Sequence, residues 1–205
     1  LKKIGNKAKE KTLKESNQTI TMPNKPFAID LLSDIHGGAK SDYEAIEKDL
    51  NIIDSTDDMY VGNAVDDTDN FVIGKLQSIQ REQSTTFDME TRFLEWLAKK
   101  LTPSLLFWVS GNHNNWTKRV SGVDFIRGLL HKVICLYDTA QTIFILKWGD
   151  NEQKWLVRHK WKYTSIFNPT HGMEVGWTRL ESFHVAVGVR SHIATMLRRL
   201  LCEIQ

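Results

Sequence analysis

The chain has 205 residues, of which 41% are hydrophobic and 25% charged, and its formal net charge is +2. These proportions lie close to the averages of globular domains and exclude disordered, collagen-like and disulfide-scaffold proteins. The charge is unevenly distributed, because the first 18 residues hold six lysines and two glutamates. The basic excess therefore belongs to an N-terminal segment, whereas the rest of the chain is slightly acidic.

The sequence also indicates where in the cell the protein is expected. No apolar run reaches the ~20 residues of a membrane helix, and no signal peptide opens the chain. Cys135 and Cys202 stand in apolar surroundings without the spacing of metal ligands, which is typical of reduced core residues, with a disulfide as the alternative. We therefore expect a cytoplasmic protein without a membrane partner. Because the first residue is Leu1, we also expect a fragment or a processed product.

In chain order, a basic arm or linker (1–22) precedes a predicted single domain (23–205). Apolar runs predict strands at 27–32, 59–61, 104–109, 133–137, 142–148, 153–159 and 183–187, and helical spacing predicts helices at 41–53 and 86–101. The turn at 149–152 predicts a hairpin between two of the later strands. Strands alternating with helices predict an α/β fold with a β-rich second half.

Polar side chains recur where the predicted strands end. Three successive strands lead into Asp34/His36, Asn63/Asp66 and Asn112/His113, and later strands lead into His159 and His192. In α/β sheets the loops at the carboxyl ends of the strands form the ligand crevice. Because mixed shells of Asp, Asn and His suit Mn, Fe, Zn or Mg, the pattern predicts a divalent metal site.

The order of these motifs resembles that of the calcineurin-like metallophosphoesterases, small phage and bacterial members included. The family pattern D-x-H, G-D-x-x-D, G-N-H-[DE], a lone His and G-H-x-H is matched by Asp34-Ile35-His36, Gly62-Asn63-Ala64-Val65-Asp66, Gly111-Asn112-His113, His159 and Ser191-His192. The resemblance implies an α/β/β/α sandwich of two sheets that hydrolyses a phosphodiester by attack of a metal-bound hydroxide.

The resemblance also implies roles for individual residues. Asp34, His36 and His192 would hold a first metal ion, and Asn112 with His159 would contribute to a second. His113 would assist the leaving oxygen. His171 is the alternative to His159.

Four positions depart from the family pattern. Asn63 stands at the position of the bridging Asp, and Asn114 follows His113 where an acid is usual. In the last motif, Val189 and Arg190 stand at the positions of the Gly and the first His. An amide cannot bridge two cations as a carboxylate does, and a guanidinium has no lone pair to offer. We therefore expect one or two ions, with Arg190 contacting the substrate phosphate.

The substrate prediction depends on aromatic and basic residues around His159. Trp155, Trp161, Tyr163 and Trp177 are interleaved with lysines and arginines, a composition that suits base stacking and phosphate contacts. The candidate substrate-binding residues are Asn114, Lys160 and Trp161. With the lysine-rich arm, they favour a nucleotide or nucleic acid. The alternative is that Trp155 and Trp161 are core residues.

Three functional hypotheses follow. The first is a working metal-dependent phosphoesterase. The second is a catalytically impaired chain of the same fold that binds nucleic acid or a protein. The third is an α/β binding domain in which the motifs occur by chance.

Overall fold

The computed structural model describes residues 18–38, 40–64, 66–74, 76–82, 84–159, 161–162, 168, 170–179, 183–190 and 193–198. The strands are β1 (Gln18–Thr21), β2 (Ala28–Ser33), β3 (Met59–Ala64), β4 (Leu105–Val109), β5 (Leu136–Asp138), β6 (Gln141–Trp148), β7 (Asn151–Arg158), β8 (Val185–Arg190) and β9 (Ile193–Arg198). The α-helices are α1 (Tyr43–Ser55), α2 (Leu76–Glu82), α3 (Phe87–Leu101), α4 (Asn112–Ser121), α5 (Phe125–Leu129) and α6 (His171–Arg179), and a 3₁₀ turn spans Leu130–Lys132. The predicted α/β class is confirmed.

The strands form two sheets. The smaller sheet has the order β2-β3-β4-β5, and its strands are all parallel. The larger sheet has the order β1-β6-β7-β8-β9, in which β6 with β7 and β8 with β9 are antiparallel. The β6–β7 pairing confirms the predicted hairpin. β1 pairs in parallel with β6, so this sheet already includes residues 18–21 of the segment expected to be an arm.

Side-chain alternation along β4 separates two cores. Phe107 and Val109 pack in a cluster with Phe144 and Val157 of the larger sheet, and the rings of Phe107 and Phe144 lie 5.3 Å apart. Trp108 belongs instead to a cluster with residues of α1, α3 and α5. Successive side chains of a strand point to opposite faces. The smaller sheet is therefore covered by the larger sheet on one face and by helices on the other.

The helices α1 and α3 start at residues whose side chains cap them. The Asp42 carboxylate accepts a hydrogen bond from the Ala45 N–H (3.0 Å) at the start of α1, and the Thr86 hydroxyl accepts one from the Met89 N–H (3.2 Å) at the start of α3. Both helices were predicted, because each has an amphipathic spacing of apolar residues. Among the described residues, no helix combines the length and apolar character needed to cross a membrane.

Candidate metal site

The site lies at the carboxyl edge of the smaller sheet. β2, β3 and β4 run in the same direction, so the segments that follow them lie side by side. The His36 N–H donates to the Asp66 carbonyl (3.0 Å), and the Gly37 N–H donates to the Asp67 carbonyl (2.8 Å). These backbone bonds tie the loop after β2 to the loop after β3.

Three side chains meet at this edge. Ligand atoms of His36, Asp66 and His113 all lie within 4.8 Å of one another, close enough to bind a single ion. The backbone supports this convergence, since Asp34, His36 and Asp66 have φ values of 49°, 47° and 38°. Such values are uncommon outside glycine, and they concentrate at functional sites.

Helix α4 fixes the Asp66 carboxylate. The His113 N–H, in the first turn of α4, donates to Asp66 Oδ1 (2.9 Å). Gly111 precedes the helix, and a Cβ atom there would overlap the Asp66 carboxylate. The glycine of the Gly111-Asn112-His113 motif therefore allows the close approach of Asp66 to the helix N-terminus, where a negative charge is favourable.

Asp69 orients both histidine rings. Its carboxylate Oδ1 lies 3.1 Å from His36 Nδ1, and its backbone carbonyl lies 2.7 Å from His113 Nδ1. Because a carbonyl only accepts, His113 carries its proton on Nδ1 and has a lone pair on Nε2. Carboxylate or carbonyl partners of this kind commonly orient metal-binding histidines.

The electrostatic environment affects these two rings in opposite directions. Burial lowers the pKa of His113, although the Asp66 charge works against this. Burial also acts to lower the pKa of His36, but the hydrogen bond that His36 donates to Asp69 and the charges of Asp66, Asp69 and Asp34 outweigh it and raise that pKa. His113 is therefore suited to offering a lone pair, and His36 lies in a distinctly negative environment that favours a cation.

Two further predicted ligands border the group. Asp34 Oδ1 lies 3.9 Å from His36 Nε2, and His159 Nε2 lies 3.8 Å from Asp66 Oδ2. His159 follows β7, so the larger sheet also contributes to this edge. The structure thus brings together Asp34, His36, His113 and His159.

The carboxylate of the three-residue group comes from Asp66, three residues after the predicted ligand Asn63. Asn63 lies in β3, fully buried, and its Nδ2 donates to Asp67 Oδ1 (2.6 Å). Asp66 was noted in the sequence as following a strand but was not among the predicted ligands. The signal that could have found it is its position as the last residue of the Gly62–Asp66 motif.

Asp67 is the centre of a buried hydrogen-bond network. Its carboxylate accepts from Asn63 Nδ2, from Asn114 Nδ2 and from Trp108 Nε1 (3.0 Å). Burial raises the pKa of Asp67 to about 7, although the amides of Asn63 and Asn114 act to lower it. Within the described part of the chain, Asn63 Oδ1 and Asn114 Oδ1 are buried and have no hydrogen-bond partner.

The predicted substrate residues are distributed differently. Asn114 belongs to the Asp67 network. Trp161 is only 8% exposed and packs with Met173 and Phe183, while its N–H donates to the Val187 carbonyl (3.3 Å). This burial argues against base stacking by Trp161 and supports the alternative of a core residue. Trp155 is a core residue as well.

The remaining predicted residues lie at the ends of secondary-structure elements or outside the described residues. Asn112 is the first residue of α4, and His171 is exposed at the start of α6. Arg190 ends β8, but its side chain lies outside the described part of the structure. Lys160 and His192 also lie outside the described residues, as does the lysine-rich segment 1–17.

Sequence reasoning missed two aromatic rings beside the group. The indole of Trp116 stacks on His113, with ring centroids 4.0 Å apart and an interplanar angle of 28°. The Phe71 ring lies 5.7 Å from His113 and 6.3 Å from Trp116. The spacing of His113 and Trp116, three residues apart, would have indicated this contact had α4 been predicted as a helix.

Comparisons of the chain with models of protein families, with curated proteins and with solved structures find no match.

Proposed function

We propose that the chain is a metal-dependent phosphoesterase of the calcineurin-like type that hydrolyses a phosphodiester. The observation that carries this proposal is the group of His36, Asp66 and His113, whose ligand atoms lie within 4.8 Å of one another at the carboxyl edge of a parallel sheet. The motif order in the sequence supports it. So does the arrangement of two sheets with a shared core and helices against their outer faces, as expected for an α/β/β/α sandwich.

The residues at this edge fit a divalent cation. Two imidazoles and a carboxylate form a donor set suited to Mn, Fe, Zn or Mg, with Mn as our first choice. His113 has its Nε2 lone pair available because Nδ1 donates to the Asp69 carbonyl. In addition, the buried oxygens of Asn63 and Asn114 lack partners in the described part of the chain, and a cation would satisfy such atoms.

A divalent ion held here supplies Lewis-acid stabilisation of the charge on a phosphoryl group. The protein contributes the orientation of its ligands. Asp69 fixes both imidazoles through their Nδ1 atoms, and the α4 N-terminus fixes the Asp66 carboxylate. The lowered pKa of His113, caused first by burial, favours the neutral ring, which suits a ligand or a proton acceptor better than a proton donor.

The direct test measures bound metal and turnover together. We expect the protein incubated with Mn²⁺ to retain metal on elemental analysis and to hydrolyse bis(p-nitrophenyl) phosphate. Asp66→Asn should lower both metal affinity and turnover by about 100-fold or more, because it removes the central charge of the group. His131→Ala is the control, since His131 is exposed and its Nδ1 lies 2.6 Å from the nearby Gly128 carbonyl.

The outcomes separate the three hypotheses. Metal binding that Asp66→Asn abolishes, together with turnover, supports the proposed phosphoesterase. Metal binding without turnover favours the impaired chain that binds nucleic acid or a protein. An unaltered chain that retains no metal contradicts the site itself and leaves the α/β binding domain.

A further inference from the structure

We propose that Phe71 and Trp116 form an aromatic platform that binds the base of a nucleotide-type phosphodiester at the candidate metal site. The inference rests on the proposed function and names the substrate class of that site. Its basis is the contact between rings: Trp116 stacks on His113 at 4.0 Å, and Phe71 lies 6.3 Å from Trp116 with an interplanar angle of 33°. His113 is thus both a member of the metal group and the inner end of an aromatic surface.

Helix α4 and the loop after β3 hold the platform in place. His113 and Trp116 are three residues apart and share one face of α4. Asn70 Nδ2 donates to the His113 carbonyl, and the Thr117 hydroxyl donates to Asn70 Oδ1 (3.0 Å). These bonds fix the loop along the helix, so that Phe71, the next residue, lies beside Trp116.

The platform differs from the tryptophans of the larger sheet in its exposure. Phe71 and Trp116 are both partly exposed, whereas Trp155 and Trp161 are buried. Val120, four residues after Trp116 in α4, is 64% exposed and lies on the same helix face. A ligand whose phosphoryl group lies at His113 therefore has the aromatic rings beside it. A nucleotide can place its base against these rings, whereas an alkyl phosphate has no group that would stack on them.

Matched ligands with and without a base test the platform. In the presence of Mn²⁺, calorimetry compares thymidine 5′-monophosphate with methyl phosphate. Hydrolysis compares thymidine 5′-(p-nitrophenyl phosphate) with methyl p-nitrophenyl phosphate, which shares its leaving group. Because stacking on an aromatic side chain strengthens base binding, Trp116→Leu should lower the affinity for the thymidine ligand by about 5- to 100-fold. It should change the affinity for the methyl ligand by less than about twofold.

Two further variants keep the test decisive. Phe71→Leu should also weaken binding of the thymidine ligand selectively, with a smaller loss of affinity. This variant replaces Trp116→Leu in the test if Trp116→Leu melts at a markedly lower temperature than the unaltered protein. Trp96→Leu is the matched control, because Trp96 lies on α3 against Phe93 and is 37% exposed. It should leave both ligands unchanged.

The platform is overturned if the unaltered protein shows no preference for the thymidine ligand. It is also overturned if Trp116→Leu weakens both ligands equally, because the ring would then only position His113. Failure of the proposed function has a different signature. In that case neither ester is hydrolysed, and the calorimetric preference still decides whether the base is bound. If neither ligand binds, both proposals fall.

Discussion

The two sheets contribute unequally to the candidate site, and the direction of their strands explains the difference. In the smaller sheet all strands are parallel, so the segments after β2, β3 and β4 meet at one edge and bring His36, Asp66 and His113 together. In the larger sheet β6 and β7 run antiparallel, so their carboxyl ends lie at opposite edges. The end of β7 brings His159 to the site. Residues that follow parallel strands therefore lie at the same edge of the sheet, whereas residues that follow antiparallel strands do not.

The largest expected effect tests whether Trp161, packed against the larger sheet, is a core residue. Trp161→Ala should lower the free energy of unfolding by about 3–5 kcal/mol, because the indole is buried against Met173 and Phe183. Urea unfolding measures this loss. Trp96→Ala, on an exposed part of α3, should cost about 1 kcal/mol or less. Equal losses of unfolding free energy in the two variants would contradict the core role of Trp161 and would again favour it as a candidate substrate-binding residue.

The next effect tests the buried network of the smaller sheet. In Asn63→Asp a carboxylate replaces the amide that donates to Asp67 at 2.6 Å, so two buried carboxyl groups face each other. We expect a loss of about 2–4 kcal/mol in unfolding free energy with EDTA present. Asn151→Asp, the same change at an exposed position, is the control. An unaffected Asn63→Asp chain would contradict the hydrogen bond between Asn63 and Asp67.

A third prediction compares one histidine from each sheet. His36→Ala should weaken Mn²⁺ binding by about 100-fold, since His36 belongs to the three-residue group. His159→Ala should weaken it by about tenfold or less, because His159 borders the group through Asp66 at 3.8 Å. Calorimetric titration with Mn²⁺ measures both affinities. Equal losses would show that the larger sheet supplies a full ligand.

The smallest effect concerns a helix cap outside the candidate site. Burial acts to raise the pKa of Asp124, but hydrogen bonds from the Tyr137 hydroxyl (2.6 Å), the Arg127 N–H (3.1 Å) and Lys118 lower it overall. A lowered pKa in the folded state means that the carboxylate stabilises the protein above its unfolded pKa of ~3.9, and that this contribution is lost as the pH falls through the folded pKa.

Asp124→Asn keeps a capping side chain and removes the charge. We expect it to cost about 0.5–1 kcal/mol at pH 7, since much of the interaction is near solvent. The difference between the two proteins should shrink as the pH falls through the lowered pKa of Asp124 in the folded state, because the carboxyl of the unaltered protein then becomes protonated too. Urea unfolding over a series of pH values from neutral to acid checks this. A difference that persists in acid would assign the effect to packing and not to charge.

The fold class and the edge that holds the candidate site could be predicted from the sequence, because apolar strands followed by polar residues mark both. The place of the Asp66 carboxylate in the three-residue group could not. β3 continues through Ala64, and the backbone then bends at Asp66 with a positive φ, so the side chain that reaches the edge depends on a local turn. A motif fixes the order of residues but not the direction in which each side chain points.

The aromatic residues show the same limit. Trp161 lies among cationic residues in the sequence, yet its indole occupies the space left by Gly188, where a Cβ atom would overlap the ring. Trp116 carries no such sequence signal, since α4 is a short polar helix that was not predicted. Which tryptophan is buried depends on contacts between distant segments, and these appear only once the chain is folded.

The direction of β1 has a practical consequence for work with this protein. β1 runs parallel to β6, with Gln18 opposite Phe144, and β6 begins at the end of the sheet where His159 lies. Gln18, the first residue of β1, therefore lies toward the same end of the larger sheet as His159. A polyhistidine tag joined ahead of Gln18 would itself bind divalent ions and would compete with the candidate metal site for them. Metal analyses should use protein from which such a tag has been cleaved.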